Sequence, residues 1–326
     1  EYVMEIIVQK YGGTSVANKE KLLKIVENIK AEKDKGNAVV VVVSAQGKTT
    51  DGLIKKAKEY VESTYPKEMD LLLSTGELQT VALLTMLLKE SGIDAEGLSG
   101  EQAGIITTSN FSHAQVKAVM TQNITKLLDE NKVVVVAGFQ GVDRFGCITT
   151  LGRGGSDLSA VAIAVGLKAA RCEIYTDVDG VYSADPNVIE SATLIKNISY
   201  DEMLEAATCG AKVLHNRSVS VARKYKLPIV VKHAVNSRGG TEMSNDNLEE
   251  YGPKLITFER DLTKISIVGD GMYSDVSYMS KIYEIAKDMN VKIFMVSCNE
   301  LSINILVKSE VAESFAARLH DEMILK

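Results

Sequence analysis

Apolar positions along this chain come in two rhythms. Short runs rich in β-branched residues fall at 6–9, 38–44, 133–137, 172–176 and 229–232. Two of them, VVVVV at 39–43 and VVVV at 133–136, have no polar alternation, so they predict central strands covered on both faces. Between these runs the apolar residues return every three or four positions. Leu22, Leu23, Val26 and Ile29 share one face of a helix predicted over 19–35, with Gly36 as its stop. Ser199 and Glu202 form a capping box ahead of an Ala-rich helix. Strands alternating with helices predict an α/β chain, an αβα sandwich around a largely parallel sheet, with ligands beyond the carboxyl ends of the strands.

The rhythm lapses over 236–253, NSRGGTEMSNDNLEEYGP, a polar stretch that reads as a linker. Beyond it a strand over 264–268, a helix over 279–288, strands over 291–297 and 302–307, a helix over 311–319 and a closing strand at 323–325 predict a small ferredoxin-like α+β domain. The expected division is a larger domain over 1–240, a linker over 241–260 and the small domain over 261–326.

Composition narrows the function classes. Hydrophobic residues make up 45% and charged residues 25%, a globular profile, and the net charge of −6 argues against a general nucleic-acid or acidic-membrane surface. In an acidic chain, Lys and Arg placed in Gly-rich loops become more telling. Cys147, Cys172, Cys209 and Cys298 are far apart with no C-x-x-C pair, which predicts a reducing compartment and no structural zinc. No apolar run reaches the ~18 residues of a membrane helix, and no basic-then-apolar stretch opens the chain. The expectation is a cytoplasmic protein without a signal peptide.

Candidate chemistry sits where strands end. TLGRGGSD, 150–157, leads straight into an apolar helical run. A Gly-rich loop that opens a helix presents free N–H groups and the positive end of the helix dipole to an anion. Arg153 adds a bidentate clamp and Asp157 a carboxylate in the first turn. KYGGTSV, 10–16, repeats the pattern: Lys10 at a strand end, Gly12 and Gly13 for close backbone approach, Thr14 and Ser15 as donors; a tight strand–helix turn would use the same residues. In SAQGKTTDG, 44–52, GKTT suggests a P-loop, but Val42 stands where that motif needs glycine, leaving Ser44, Thr49 and Thr50 as hydroxyl donors. Asp157 likewise replaces the last glycine of a dinucleotide fingerprint begun at Gly152. YTDVDGVYSADP, 175–186, is an Asp-rich turn or a nucleotide contact, with Asp177, Asp179 and Asp185 as oxygen ligands and Tyr182 able to stack on a base. STGE, 74–77, places Glu77 near an expected helix start, where a capping role would suffice. His113, His215, His233 and His320 have no metal spacing and read as structural.

In their order and spacing, KYGGTSV, VVSA, LLSTGE, FQG, TLGRGGSD, YTDVDGVYSADP and GAKVLH resemble the aspartate kinases over essentially the whole chain. The resemblance implies an amino-acid-kinase fold and transfer of the γ-phosphoryl of ATP to the side-chain carboxylate of L-aspartate. The tail, with VGDGM at 268–272, resembles the ACT units that bind amino-acid end products, usually lysine or threonine. It also implies roles: Lys10 neutralises the transferring phosphoryl; Gly12, Gly13, Thr14 and Ser15 line its path; Ser44, Thr50, Glu77 and Arg153 contact aspartate; Asp157 orients the site. Thr176, Asp177 and Tyr182 would hold adenosine and Lys212 the ATP phosphates, with Mg²⁺ carried mainly by those phosphates. ACT pairing implies a homo-oligomer. The chain departs from the family at Asn187, where a basic residue is common, and at Asn216, where proline is usual. It has room for one ACT unit where the family normally carries two. Two other readings compete: a kinase of another amino acid or a carbamate, and a non-catalytic amino-acid sensor.

Overall fold

A computed structural model describes residues 4–209, 211, 213–235, 239–245, 252–272 and 274–325. It divides into two compact units that meet at Thr257 and Phe258 in the sequence.

The first unit opens with β1 (Ile6–Tyr11), a 3-10 turn (Gly13–Val16), α1 (Lys19–Asp34) and β2 (Ala38–Val43). Then come α2 (Thr49–Tyr60), the long α3 (Pro66–Glu90) and β3 (Ala95–Leu98). Next are β4 (Ile105–Thr107), β5 (Val116–Val119), α4 (Gln122–Asp129) and β6 (Val133–Ala137). After these follow β7 (Gln140–Val142), β8 (Ile148–Thr150), α5 (Gly155–Leu167) and β9 (Arg171–Thr176). The unit closes with β10 (Asn197–Ile198), α6 (Tyr200–Thr208), α7 (Asn216–Tyr225), β11 (Ile229–His233) and β12 (Gly240–Met243). The main sheet runs β10-β12-β11-β9-β1-β2-β6-β3 and is parallel apart from the β11–β12 pair. A smaller sheet, β5-β4-β7-β8, lies in the same unit.

The alternation of side chains explains the three layers. Val8, Val40, Val42, Val134, Val136 and Ile174 face one way, against Ile124 and Leu128 of α4, Ile163 of α5, Met203 of α6 and Val219 of α7. Val39, Val41, Val43, Val133 and Val135 face the other way, against Leu22, Ile25 and Ile29 of α1 and Leu84 and Leu88 of α3. Every residue of β2 and β6 is buried, as expected of strands without alternation. Gly36 stops α1 at a positive φ of 84°, and the Ser199–Glu202 capping box is formed.

Four expectations need correction. The stretch 236–253 is not all linker, because Gly240–Met243 pairs with β11 and extends the sheet. α3 is a 25-residue helix long and apolar enough by composition to cross a membrane. It is a core helix here, since Asp70, Ser74, Glu77 and Thr80 are buried in the unit along with Leu73, Leu84 and Leu88. Glu77 is therefore mid-helix, not at a helix start. In the second unit, β13 (Leu262–Val268), α8 (Val276–Asp288), β14 (Met295–Asn299), β15 (Ser302–Lys308) and α9 (Ser309–Met323) give an antiparallel sheet β13-β15-β14 over a core of Ile282, Ile303, Ile305, Phe315 and Leu319. The closing strand at 323–325 does not form. Ala312, Phe315, Leu319 and Met323 continue one helical stripe, so Met323 ends α9, with Ile324 as its cap.

A polar cluster is built into the α1 face of the sheet. The fully buried Glu173 accepts hydrogen bonds from Lys232 Nζ (2.6 Å), Arg171 Nε (2.9 Å), Gln9 Nε2 (3.0 Å) and Tyr175 Oη (3.0 Å). Burial alone would raise its pKa, but Lys232 and Arg171 outweigh it and hold the carboxyl below its ordinary 4.5. Glu173→Ala strands these partners and should cost about 2 kcal/mol in urea unfolding at pH 7, the heads of Arg171 and Lys232 keeping some water. A depressed carboxylate pKa contributes stability above the unfolded value and loses it as pH falls through the folded one. The difference between wild type and variant should therefore shrink on acidification below pH 4.5.

Candidate active site

Parallel strands end on one edge, so the loops after β1, β2 and β9 gather there. Lys10, in register with Val42 and Ile174, lies on the same sheet face as α5. Its Nζ reaches Asp157 Oδ1 in the first turn of α5 at 2.6 Å, with each side chain less than 15% exposed. The first loop lies directly on the second. A Cβ at Gly13 would come within 2.9 Å of the Ala45 carbonyl oxygen, and Gly47 N–H donates to the Gly13 carbonyl at 3.0 Å. Ser44 Oγ donates to Ser156 Oγ at 2.8 Å, which ties the second loop to the start of α5. Ser15 Oγ is buried without a hydrogen-bond partner, and Thr14 is exposed. Thr50 sits half-buried in the first turn of α2.

Glu77 enters from α3. It is 3% exposed; Oε1 accepts the Ala45 N–H at 3.1 Å, while Oε2 is buried with no partner. Burial pushes the carboxyl up to about 7 against the opposing Ala45 hydrogen bond. A half-satisfied buried carboxylate is a docking point for a cationic group.

The 150–157 loop is anchored by Asp70, a residue the sequence patterns did not single out. Asp70 is fully buried on α3 and accepts from Thr150 N (2.7 Å), Thr150 Oγ1 (2.7 Å) and Ser112 N (2.9 Å). It lies seven residues before Glu77 and on the same side of α3, so one helix holds both the loop base and the free carboxylate. A lone Asp before the LLL run of an otherwise apolar helix was the available signal. Arg153 is exposed, with no ion pair among the described residues. Gly154 has φ +70°, and a Cβ there would collide with the His215 ring at 2.4 Å, so only glycine lets the loop close on α7. His215 caps α7, accepting a hydrogen bond from the Arg217 N–H.

On the β9 side, Thr176 Oγ1 donates to Asp177 Oδ1 at 3.0 Å. Tyr182 Oη donates to Asp179 Oδ2 at 3.1 Å, and Asp179 Oδ1 is buried without a partner. Lys212 lies outside the described residues. Among the described residues no three metal-binding side chains converge.

Residues 5–233 match the amino acid kinase family, and residues 265–323 match an ACT domain. An aspartokinase of Geobacillus stearothermophilus is 37% identical across 98% of this chain and 97% of its own length. The chain belongs to the aspartokinases of the amino acid kinase family. That alignment spans 394 positions against the chain's 326 residues, so the Geobacillus enzyme holds a stretch with no counterpart here. E. coli aspartokinase III in complex with lysine and aspartate, in its T-state, superposes with a TM-score of 0.83 at 24% identity, covering 97% of this chain and 83% of that one. The complex of the same enzyme with aspartate and ADP, in its R-state, gives 0.77 at 25% identity with the same coverage.

For this aspartokinase, Glu77 generates a pH prediction. A cationic amine binds its ionised form, so binding should weaken once the carboxyl protonates. The KM for an amino-acid substrate should fall about tenfold per pH unit as pH rises from 5.5 to 6.5, then flatten above about 7. Glu77→Gln should abolish that slope. A Gln variant that keeps the slope would assign it to another group.

Proposed function

We propose that this aspartokinase transfers the γ-phosphoryl group of ATP to the side-chain carboxylate of L-aspartate, giving 4-phospho-L-aspartate and ADP. This is the first step towards the aspartate-derived amino acids lysine, threonine and methionine. The observation that carries the reading is the place of the Lys10–Asp157 pair, between the loop after β9 on one side and Glu77 with the 150–157 loop on the other. An anionic group passing between two ligands would cross that ammonium.

The acceptor carboxylate is ionised at pH 7 and needs no general base, so positioning and charge neutralisation supply the catalysis. In this assignment the free oxygen of Glu77 takes the α-ammonium of aspartate, Arg153 a carboxylate, and Ser44 and Thr50 the remaining polar atoms. Lys10 neutralises the phosphoryl group in transit, and Asp157 keeps the Lys10 ammonium in place. Gly12, Gly13, Thr14 and Ser15 line the path. Thr176, Asp177 and Tyr182 hold the adenosine and Lys212 the phosphates. Mg²⁺ would arrive on the phosphates and supply further charge neutralisation. Residues 258–326, matched to an ACT domain over 265–323, take an amino-acid end product, lysine or threonine, and pair between subunits of a homo-oligomer. A cytoplasmic enzyme fits the four free cysteines.

Trapping the acyl phosphate with hydroxylamine tests the reaction. ATP and aspartate should yield hydroxamate, and product from glutamate alone would overturn the substrate. Lys10→Ala should lower kcat about 10²–10³-fold with a smaller change in the KM for aspartate, as expected for a fixed charge acting on the transition state. Arg153→Lys should raise the KM for aspartate, because the planar fork is lost. Lysine or threonine should inhibit the enzyme, and a chain ending at Thr257 should lose that inhibition.

A further inference from the structure

Two backbone segments meet behind Arg153. Ala114 N–H donates to the Thr150 carbonyl at 2.9 Å, joining residues 112–114 to 150–151. Asp70 takes the donors of both: the N–H groups of Ser112 and Thr150. Arg217, in the first turn of α7, takes acceptors of both. Nη1 donates to the Leu151 carbonyl and Nη2 to the Ala114 carbonyl at 2.8 Å. No carboxylate pairs with Arg217 among the described residues, and burial holds its guanidinium below the usual arginine range. A charge kept in that setting is committed to the two carbonyls.

The consequence is geometric. In a trans peptide C=O and N–H point in opposite directions. Holding the Leu151 carbonyl on Arg217 therefore turns the Gly152 N–H the other way, and that N–H has no acceptor among the described residues. Arg153 is the next residue. The same turn of α7 begins at His215, whose ring closes on Gly154. α7 thus grips both the base and the crown of the loop.

We propose that Arg217 is a positioning residue for the aspartate end of the site: with Asp70 it fixes the Leu151–Gly152 peptide from which Arg153 reaches the substrate carboxylate. The inference rests on the aspartokinase reading above. Arg217 touches no substrate and acts through the loop.

The test measures kcat and both KM values by hydroxylamine trapping in wild type, Arg217→Met, Arg217→Lys, Arg153→Met and the Arg153→Met/Arg217→Met double variant. Arg217→Met should raise the KM for aspartate about tenfold or more while the KM for ATP stays within about twofold, a range set by small misplacements of binding groups. Lysine keeps the charge but loses the planar fork whose two nitrogens each hold one carbonyl, so Arg217→Lys should fall between Met and wild type. If both act through one loop, the double variant should resemble Arg153→Met alone, within about twofold in the KM for aspartate. Equal rises in both KM values, an unchanged KM for aspartate, or multiplicative effects in the double variant would each overturn the proposal. Should Arg217→Met fail to fold, the ratio of the two KM values in Arg217→Lys decides. Wild-type enzyme that forms no hydroxamate from aspartate would remove the parent reading; active wild type with an indifferent Arg217 would remove only this one.

Discussion

The active edge depends on one ion pair, Lys10 with Asp157. An ammonium on a central strand beside an apolar core is costly unless it is compensated. Asp157 compensates it from the first turn of the helix packed on the same sheet face, and so fixes where the charge sits. The loops are then placed relative to that charge: Gly13 lies on the Ala45 carbonyl, and Ser44 bonds Ser156 one residue before Asp157. An ammonium has three donors, so one contact to Asp157 leaves others, which the proposed mechanism gives to the phosphoryl oxygens.

Glu77 works in the opposite way. It is a carboxylate shielded from water with only one oxygen satisfied. In the unliganded protein burial favours its protonated form; a bound ammonium would favour the ionised one. Under the proposed assignment, substrate and site complete each other's charge: Lys10 is compensated in advance, as a fixed catalytic charge would be, whereas Glu77 has one oxygen left for a ligand, as a selective binding group would.

Rigidity comes from beneath. Tyr11 and Tyr175 stack at 4.5 Å on neighbouring strands, and both join the hydrogen-bonded cluster around Gln9 and Glu173. These residues are adjacent to Lys10 and Thr176, which face the site. The polar cluster locks the relative register of β1 and β9 where a purely apolar layer would tolerate small slips. Asp70 and Arg217 do the same for the 150–157 loop, a carboxylate taking its donors and a guanidinium its acceptors.

The layers of the fold were legible in the sequence because burial on both faces leaves no room for polar residues in β2 and β6, and because a helix face must repeat every three or four positions. The loop chemistry was legible for a similar reason: glycine is needed where the chain is approached closely, by the Ala45 carbonyl at Gly13 and by the His215 side chain at Gly154. Three things were not. The middle of α3 looked like a cap, since STGE has the residues of a helix start and nothing local says that eight residues of helix already precede it. The segment at 323–325 looked like a strand because three apolar residues carry no period of their own; Met323 packs with Phe315 and Leu319 as the last residue of a helix, and Ile324 and Leu325 are exposed beyond it. Asp70 carried no motif beyond its place before the LLL run, and Arg217 none at all. Their roles rest on backbone groups of distant segments, which have no residue identity to read. Local pattern determined the elements and the glycine-rich loops, while tertiary structure alone decided which buried charges meet which peptide groups.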